Sequence, residues 1–598
     1  MTKIPYIPET APFSLEQRAW LNGFLAGLFA NGRGNEAPQR NNVPAQAGEP
    51  LPILFGSQTG SAEGIAKRIA KEAALRGFAP VVLPLNDHLQ ADLTKSSKAI
   101  IISSTWGDGE PPDNATNFWS WLQADAPRLE NLQFAVLGLG DKNYSDFCGA
   151  AKKFDSRLEN LGARRLVPRG ECDTDYEATA MTWVDGLWEK LTPSANGAAN
   201  GHAVHTNGHT VSTNGHAPAA NGHVKSAFSK TNPFPARLLK NVLLNKPGSA
   251  KEVRHYEISL AGSGLTYEAG DALGVMPVNC PALVDEMLGA LGCSGTESVA
   301  IGSTNMLLRE AFTRHLDLCK PSQELLAAIV NRAPISDLAP LLAPERRDDL
   351  KKFLWGRDVL DLLRLVDKPF SLPELVPLLR KLAPRLYSIS SSPKAHPGEV
   401  HLTVSAVRYE SFGRERKGVA STFLADRAGD VDCVKVFVQP SHGFRPPVNG
   451  DLPMIMVGPG TGIAPFRAFL EERKASGARG KNWLFFGDQK RASDFLYESE
   501  LGVWQRDGHL TRLDVAFSRD QDAKLYVQDR MLENAAELWS WLEAGAHFYV
   551  CGDASRMAKD VDAALHRIIE MAGRKTADEA IAYVAKLKSE KRYQRDVY

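Results

Sequence analysis

The sequence predicts a multidomain α/β plus β-barrel chain: an α/β unit, a flexible tether, an antiparallel barrel interrupted by a helical insertion, and a second α/β unit. Three observations carry that reading. The chain has 598 residues, and domains average roughly 150 residues. Strand and helix patterns alternate over 51–161 and again after 453, whereas the stretch between mixes period-two strands with a helical block. Residues 192–224 contain no Asp, Glu, Lys or Arg, which marks a boundary.

In the first unit, the apolar run 51–55 reads as a buried strand and 62–76 as a helix. Strands are expected at 81–85, 99–103 and 134–139, with helices at 116–123 and 150–161. Such alternation implies a parallel sheet covered on both faces. In the tether Asn-Gly-His recurs with His202, His209, His216 and His223. The period is seven, but no apolar a/d positions exist for a coiled coil. A flexible spacer is the expectation, with weak metal binding by the histidines as the alternative. About 33 such residues span roughly 30 Å, so the flanking domains can approach and separate. Beyond the tether, 253–260, 400–408 and 434–439 read as antiparallel strands. Helices are expected at 281–291, 306–318, 324–331, 358–365 and 373–382.

Lys+Arg and Asp+Glu both number 70. That balance argues against a nucleic-acid coat or a polybasic membrane binder. No run of 18 apolar residues is present, so no membrane span is expected. The opening MTKIPYIPET lacks a basic region followed by an apolar core, so no secretory signal is expected. Seven scattered cysteines without a CxxC fit reduced thiols in the cytoplasm, and no metal centre is expected.

Three strand ends in the first unit carry chemistry. The first runs into Ser57-Gln58-Thr59-Gly60-Ser61-Ala62, a Gly/Ser turn opening a helix, which suits a phosphate. No Lys follows the glycine, so a Walker loop is excluded. The third ends in Ser104-Thr105-Trp106-Gly107-Asp108 and the fourth in Leu139-Gly140-Asp141, followed by Asn143, Tyr144, Phe147 and Cys148. Ligands of open α/β sheets lie beyond such ends. Trp106 and Tyr144 beside a phosphate loop favour a flavin mononucleotide. Here the chain resembles the flavodoxin family, over about 51–190.

Further on, Arg385-Leu386-Tyr387-Ser388 resembles the RxYS motif of the ferredoxin–NADP reductase family, a likeness covering about 230–598. There the Arg pairs with a pyrophosphate, the Tyr packs on the flavin and the Ser lies near flavin N5. An Arg fork matches two phosphate oxygens. Gly418-Val419-Ala420-Ser421 is a small-residue turn into a helix, and the resemblance adds Thr403, Val404, Ser405 and Tyr409 as flavin contacts. Gly458-Pro459-Gly460-Thr461-Gly462 sits between a strand and a helix, as a dinucleotide site requires. Ser518, Arg519, Lys524, Leu525, Tyr526, Val527 and Gln528 offer cations, hydroxyls and a phenol for the 2′-phosphate of NADPH. Asp560 is assigned to the same site. The resemblance makes Ser388, Cys551, Asp596 and Tyr598 catalytic, with Cys551 beside the nicotinamide and Tyr598 stacked over FAD.

Flavodoxin-like, insertion and reductase-like parts in one chain resemble the diflavin reductases. The segment 12–27, GDALGV at 270–275 and the tail Arg595-Asp596-Val597-Tyr598 resemble the bacterial sulfite reductase flavoprotein subunits in particular. Trp106 departs from the glutamine expected in enterobacterial members. The resemblance implies a division into an N-terminal self-association or partner segment (1–50), an FMN domain (51–191), a linker (192–228), an FAD barrel with its insertion at about 281–380 (229–450) and an NADP domain (451–598). It implies electron transfer from NADPH through FAD and FMN to a separate sirohaem/iron–sulfur haemoprotein, in assimilatory reduction of sulfite to sulfide for cysteine biosynthesis. It also implies a homo-oligomer formed through the N-terminal segment. A general NADPH–haemoprotein or nitrate-reductase donor of the same architecture stays open, as does a non-catalytic redox sensor.

Overall fold

The structure, a computed structural model, describes residues 48–57, 60–105, 109–140, 146–173, 176–191, 227–332, 337–431, 433–441 and 443–598. The expected N-terminal segment and the tether histidines lie outside these residues.

The first sheet is parallel, in the spatial order Phe78–Pro84, Glu49–Gly56, Lys98–Ser104, Gln133–Leu139, Arg164–Arg165. In sequence numbering this is 2-1-3-4-5, the flavodoxin-like order. Side chains alternate across the sheet. Leu51, Ile53 and Phe55 join one buried cluster with helices Ser61–Leu75 and Tyr176–Lys190, and Leu54 joins the other with Thr116–Ala124 and Gly149–Asn160. The strand Gly170–Cys172 and the helix Tyr176–Lys190 were not foreseen. That helix buries Ala180, Val184 and Leu187 only, a thin apolar stripe.

The middle unit contains two antiparallel sheets. One orders Arg385–Ser388, Ala272–Val275, Val434–Gln439 and Phe234–Ala236; the other orders Glu399–Ser405, Val253–Ser259 and Leu238–Leu243. They meet at two corners. Phe234–Ala236 runs on past Arg237 into Leu238–Leu243, and Ile389, just beyond Arg385–Ser388, bridges Leu402. Tyr256, Ile258, Leu273, Leu402 and Val436 fill the space between the sheets.

The insertion has its own apolar core, which includes Leu288, Phe312, Leu326 and Leu360. Two expected helices are corrected. At 306–318 the chain first completes a hairpin, Ser298–Ile301 with Thr304–Leu307, across Gly302 (φ 62°), and only Leu308–Arg314 is helical. At 373–382 the helix stops after Leu372–Leu375 and a 3₁₀ turn, Val376–Leu378, because Pro377 has no N–H to continue the ladder. The expected strand 400–408 ends at Ser405, and Arg408–Ser411 leaves to pair with Arg414–Lys417.

The last sheet is parallel, in the order Arg512–Phe517, Asn482–Asp488, Met454–Val457, His547–Gly552, Tyr593–Val597. Within this unit that is 3-2-1-4-5, with a switch point between Met454–Val457 and His547–Gly552. Val253 and Ala269 of the barrel share one buried cluster with Phe466, Phe469 and Tyr549 of this unit, so the two pack on a common apolar seam. Among the described residues no helix is long and apolar enough to cross a membrane.

Candidate functional site

At the carboxyl ends of the first sheet, Gly60 adopts φ 86°, a left-handed turn that suits glycine. Its N–H donates to the Ser57 hydroxyl (2.8 Å), and the Ser57 N–H donates to Asn114 Oδ1 (2.8 Å). Ser61 and Ala62 begin a 15-residue helix whose first N–H groups attract an anion. The Ser104 hydroxyl donates to the Gly56 carbonyl (3.2 Å), and the Thr105 N–H to the Leu139 carbonyl (2.9 Å). The Thr105 hydroxyl is buried and has no hydrogen-bond partner among the described residues. A Cβ at Gly109 would strike the Asp146 carboxylate, and one at Gly140 would come within 2.8 Å of the Cys148 nitrogen. Cys148 packs wholly in the core, and burial pushes its thiol up to about 12. Leu139 is buried, and Phe147 lies under the Lys152 ammonium, 5.6 Å away. Gln58, Thr59, Trp106, Gly107, Asp141, Asn143 and Tyr144 lie outside the described residues.

A second site is a cavity of about 570 Å³ between the barrel rim and the insertion. Arg385, Tyr409, Gly418 and Val419 line it as expected, together with Lys417 and Thr422. The Arg385 guanidinium donates to the Ala383 carbonyl (3.0 Å) and lies 3.8 Å from the Asp317 carboxylate. Tyr409 is parallel to Trp355, ring centroids 6.0 Å apart. Arg414 and Arg416 are clamped by Asp358 and Asp361 at 2.6–2.9 Å, which ties the hairpin to the insertion. Ala420 and Ser421 are buried off the cavity wall, and the Ser421 hydroxyl accepts from the Val407 N–H (3.1 Å). Thr403 also points elsewhere, bonded to the Tyr497 hydroxyl at 2.6 Å, and Val404 faces the barrel core. Leu386 is exposed, while burial holds the half-buried Tyr387 hydroxyl above its ordinary range.

The third site is a cleft of about 870 Å³ at the switch point of the last sheet. Gly460, Thr461, Ser518, Leu525, Tyr526, Val527, Gln528, Asp560 and Tyr598 line it, and Ser405 reaches it from the barrel. Gly462 cannot be replaced freely, because a Cβ there would strike the Cys551 carbonyl. Arg519 and Lys524 are exposed and do not line the cleft; its cations are Arg556 and Lys251, neither foreseen. Lys251 crosses from the barrel to Asp488 Oδ1 (2.5 Å).

The barrel and the last sheet converge on one carboxylate. The Ser388 hydroxyl donates to Asp596 Oδ2 (2.6 Å), and the Cys551 thiol lies 3.9 Å from the same oxygen. Cys551 and Asp596 are register partners on adjacent parallel strands. The Tyr598 hydroxyl is 3.0 Å from Thr461 Oγ1, and the residue is 63% exposed. Burial raises Asp596 above the usual carboxylate range and Cys551 well above the usual thiol range, the latter helped by the neighbouring Asp596 charge. Arg467, buried in the last unit, holds the Ser390 carbonyl at 2.6 Å and so fixes the end of the RLYS strand.

Comparison with known proteins matches all three units. Residues 53–183 match the flavodoxin family, 226–423 an FAD binding domain and 456–563 an oxidoreductase NAD-binding domain. The chain is 44% identical over 592 residues to the "Sulfite reductase [NADPH] flavoprotein alpha-component" of Bacillus subtilis, covering 97% of this chain and 95% of that protein. Proteins of the same description from Vibrio cholerae and Mannheimia succiniciproducens are 43% and 41% identical, over 98% and 100% of this chain and 93% and 100% of theirs. The chain belongs to the sulfite reductase flavoprotein alpha-component family. As a member it is a flavoprotein oxidoreductase with regions for FMN, FAD and a nicotinamide coenzyme. The residues missed by sequence reading, Arg556, Lys251 and Lys417, share one signal: each sits next to a recognised element. Arg556 follows the strand end at 552, Lys251 precedes the strand that starts at 253, and Lys417 precedes the Gly418 turn.

Proposed function

We propose that this chain is the flavoprotein component of an assimilatory NADPH-dependent sulfite reductase, taking hydride equivalents from NADPH and delivering single electrons through FAD and FMN to a separate haemoprotein. The carrying observation is the convergence of Ser388 and Cys551 on Asp596, two residues before Tyr598, at the seam of an FAD-type barrel and a nucleotide-type sheet. The cofactors are FMN, FAD and NADPH. When bound, the flavins supply the conversion of a two-electron donor into one-electron deliveries.

The chain's residues do the rest. The Gly60 turn and the helix after it hold the FMN phosphate, with the Thr105 hydroxyl nearby. Arg385, Lys417 and the Gly418 turn hold the FAD pyrophosphate, and Tyr409 with Trp355 supplies a stacking platform. Arg556 and Tyr526 meet the 2′-phosphate of NADPH. Ser388, Asp596 and Cys551 would orient the nicotinamide, and the exposed Tyr598 ring would stack on the flavin and give way to the nicotinamide. Stacking beyond area burial contributes only about 0.5–1.5 kcal/mol, little enough to be displaced.

The proposed domains are those of the sequence division, 1–50, 51–191, 192–228, 229–450 and 451–598, with residues 1–50 serving self-association. The setting is the cytoplasm, the partner a sirohaem/iron–sulfur subunit, and sulfite binds only to that partner. The test is to denature the protein and separate the released flavins, then to follow NADPH-driven reduction of a one-electron dye. Equal FMN and FAD with steady dye reduction is expected. One flavin alone, or no turnover, overturns the reading.

A further inference from the structure

The strand pair Val253–Ser259 and Glu399–Ser405 sends Tyr256, Ile258, Val400 and Leu402 into the barrel core. Alternate residues point the other way. On that outer face stand His255, Glu257, Glu399, His401 and Thr403, with His401 directly opposite Glu257. His396 joins from the preceding turn. Its ring centroid is 4.2 Å from that of His401, and His255 is 5.1 Å from His401 on the other side. The last unit covers this face. The Tyr497 hydroxyl bonds His255 Nδ1 (2.9 Å), and Glu471 Oε1 lies 3.1 Å from His396 Nε2.

His255, Glu257 and His401 each bring a ligand atom within 4.8 Å of the other two, and His396, Glu399 and His401 do the same. A second observation is independent of that spacing. His401 is 1% exposed and its Nδ1 has no hydrogen-bond partner, an uncommon state for a buried polar atom. Its Nε2 lies 3.3 Å from Glu399, and His255 Nδ1 is held by Tyr497. The Tyr497 bond to His255 Nδ1 is the kind of far-nitrogen bond that fixes the tautomer of a ligating imidazole. Two cations face the cluster: Lys240, 3.0 Å from Glu257, which an incoming ion would displace, and the buried Arg467, whose charge is held by Glu471 and Glu500. Imidazoles with a carboxylate suit zinc and its neighbours rather than magnesium or calcium.

We propose that this seam binds one divalent transition-metal ion of the zinc class, centred on His401, and that the ion pins the barrel to the C-terminal unit. The test uses the flavin-loaded full chain with His202, His209, His216 and His223 changed to Gln, which removes the tether as a competing site. After dialysis against a chelator, Zn²⁺ alone is titrated by calorimetry. One ion per chain is expected, bound at least tenfold more tightly than in the same chain carrying His255→Gln and His396→Gln. Zn²⁺ should also raise the thermal midpoint, and the double variant should lose that rise. Flavin absorbance checks the folding of the variant; if it falls, Glu257→Gln with Glu399→Gln replaces the pair. Affinity equal in parent and folded variant, or fewer than one ion per parent chain, overturns the proposal.

Discussion

Asp596 shows how burial becomes function at a single residue. Its carboxyl titrates above the ordinary value of about 3.9 because burial disfavours the charged form. Between those two values the folded chain binds a proton that the unfolded chain has lost, so stability falls as pH rises through the window and levels off above it. Asp596→Asn cannot ionise. Its stability relative to the parent should therefore rise across the same window, read as thermal midpoints from about pH 4 to about pH 8; parallel curves would contradict this. Hydride transfer should slow in the same variant, because Ser388 and Cys551 both lean on that oxygen. Arg556 makes the second residue-scale prediction. Charge-assisted hydrogen bonds contribute about 1.5–3 kcal/mol, so Arg556→Ala should raise KM for NADPH by about tenfold or more and leave KM for NADH nearly unchanged. Arg519→Ala and Lys524→Ala should each do less, since neither lines the cleft.

Among the elements, the hairpin Arg408–Ser411 with Arg414–Lys417 depends on the insertion. Arg416 and Asp358 are both buried, and breaking such a pair by removing one partner costs about 3–5 kcal/mol. Arg416→Met should loosen the Tyr409 and Lys417 walls of the cavity, so FAD is lost on gel filtration while FMN stays. A flavin ratio that remains equal would show that the clamp does not hold the site. This scale also shows what sequence could reveal. Strands with long apolar runs, such as Lys98–Ser104 and Gln133–Leu139, and helices with clear periodicity, such as Pro281–Leu291, were legible. The hairpin Ser298–Leu307 was not, because Met306 and Leu307 continue the apolar period of the helix after them. RLYS and the glycine turns stood out in the sequence because phosphate chemistry needs small residues and Arg forks at strand ends, and the structure places Arg385 and Gly418 on one cavity wall and Gly460 on another. Arg556 was not, since a lone Arg in a polar loop is ordinary until the fold brings 552–560 against the turn at 459–461. Thr403 misled for the opposite reason: period two put it on the outer face, toward Tyr497.

Across the whole molecule, the barrel and the last unit share an apolar seam reinforced by Arg467 and Lys251, so the FAD and coenzyme sites form one packed body. The first unit meets the insertion through the ion pair Asp146–Arg347 (2.8 Å). Arg347 is half exposed and Asp146 mostly buried in that pair. Arg347→Glu should accordingly slow reduction of FMN more than reduction of FAD in rapid mixing with NADPH; equal slowing would place the contact off the path. The most direct test of the central claim mixes the flavin-loaded chain anaerobically with the sirohaem subunit of the same host and adds NADPH. The account predicts that the sirohaem absorption shifts to its reduced form and that sulfite then sustains NADPH oxidation. Flavin bleaching with an unchanged sirohaem spectrum would contradict it.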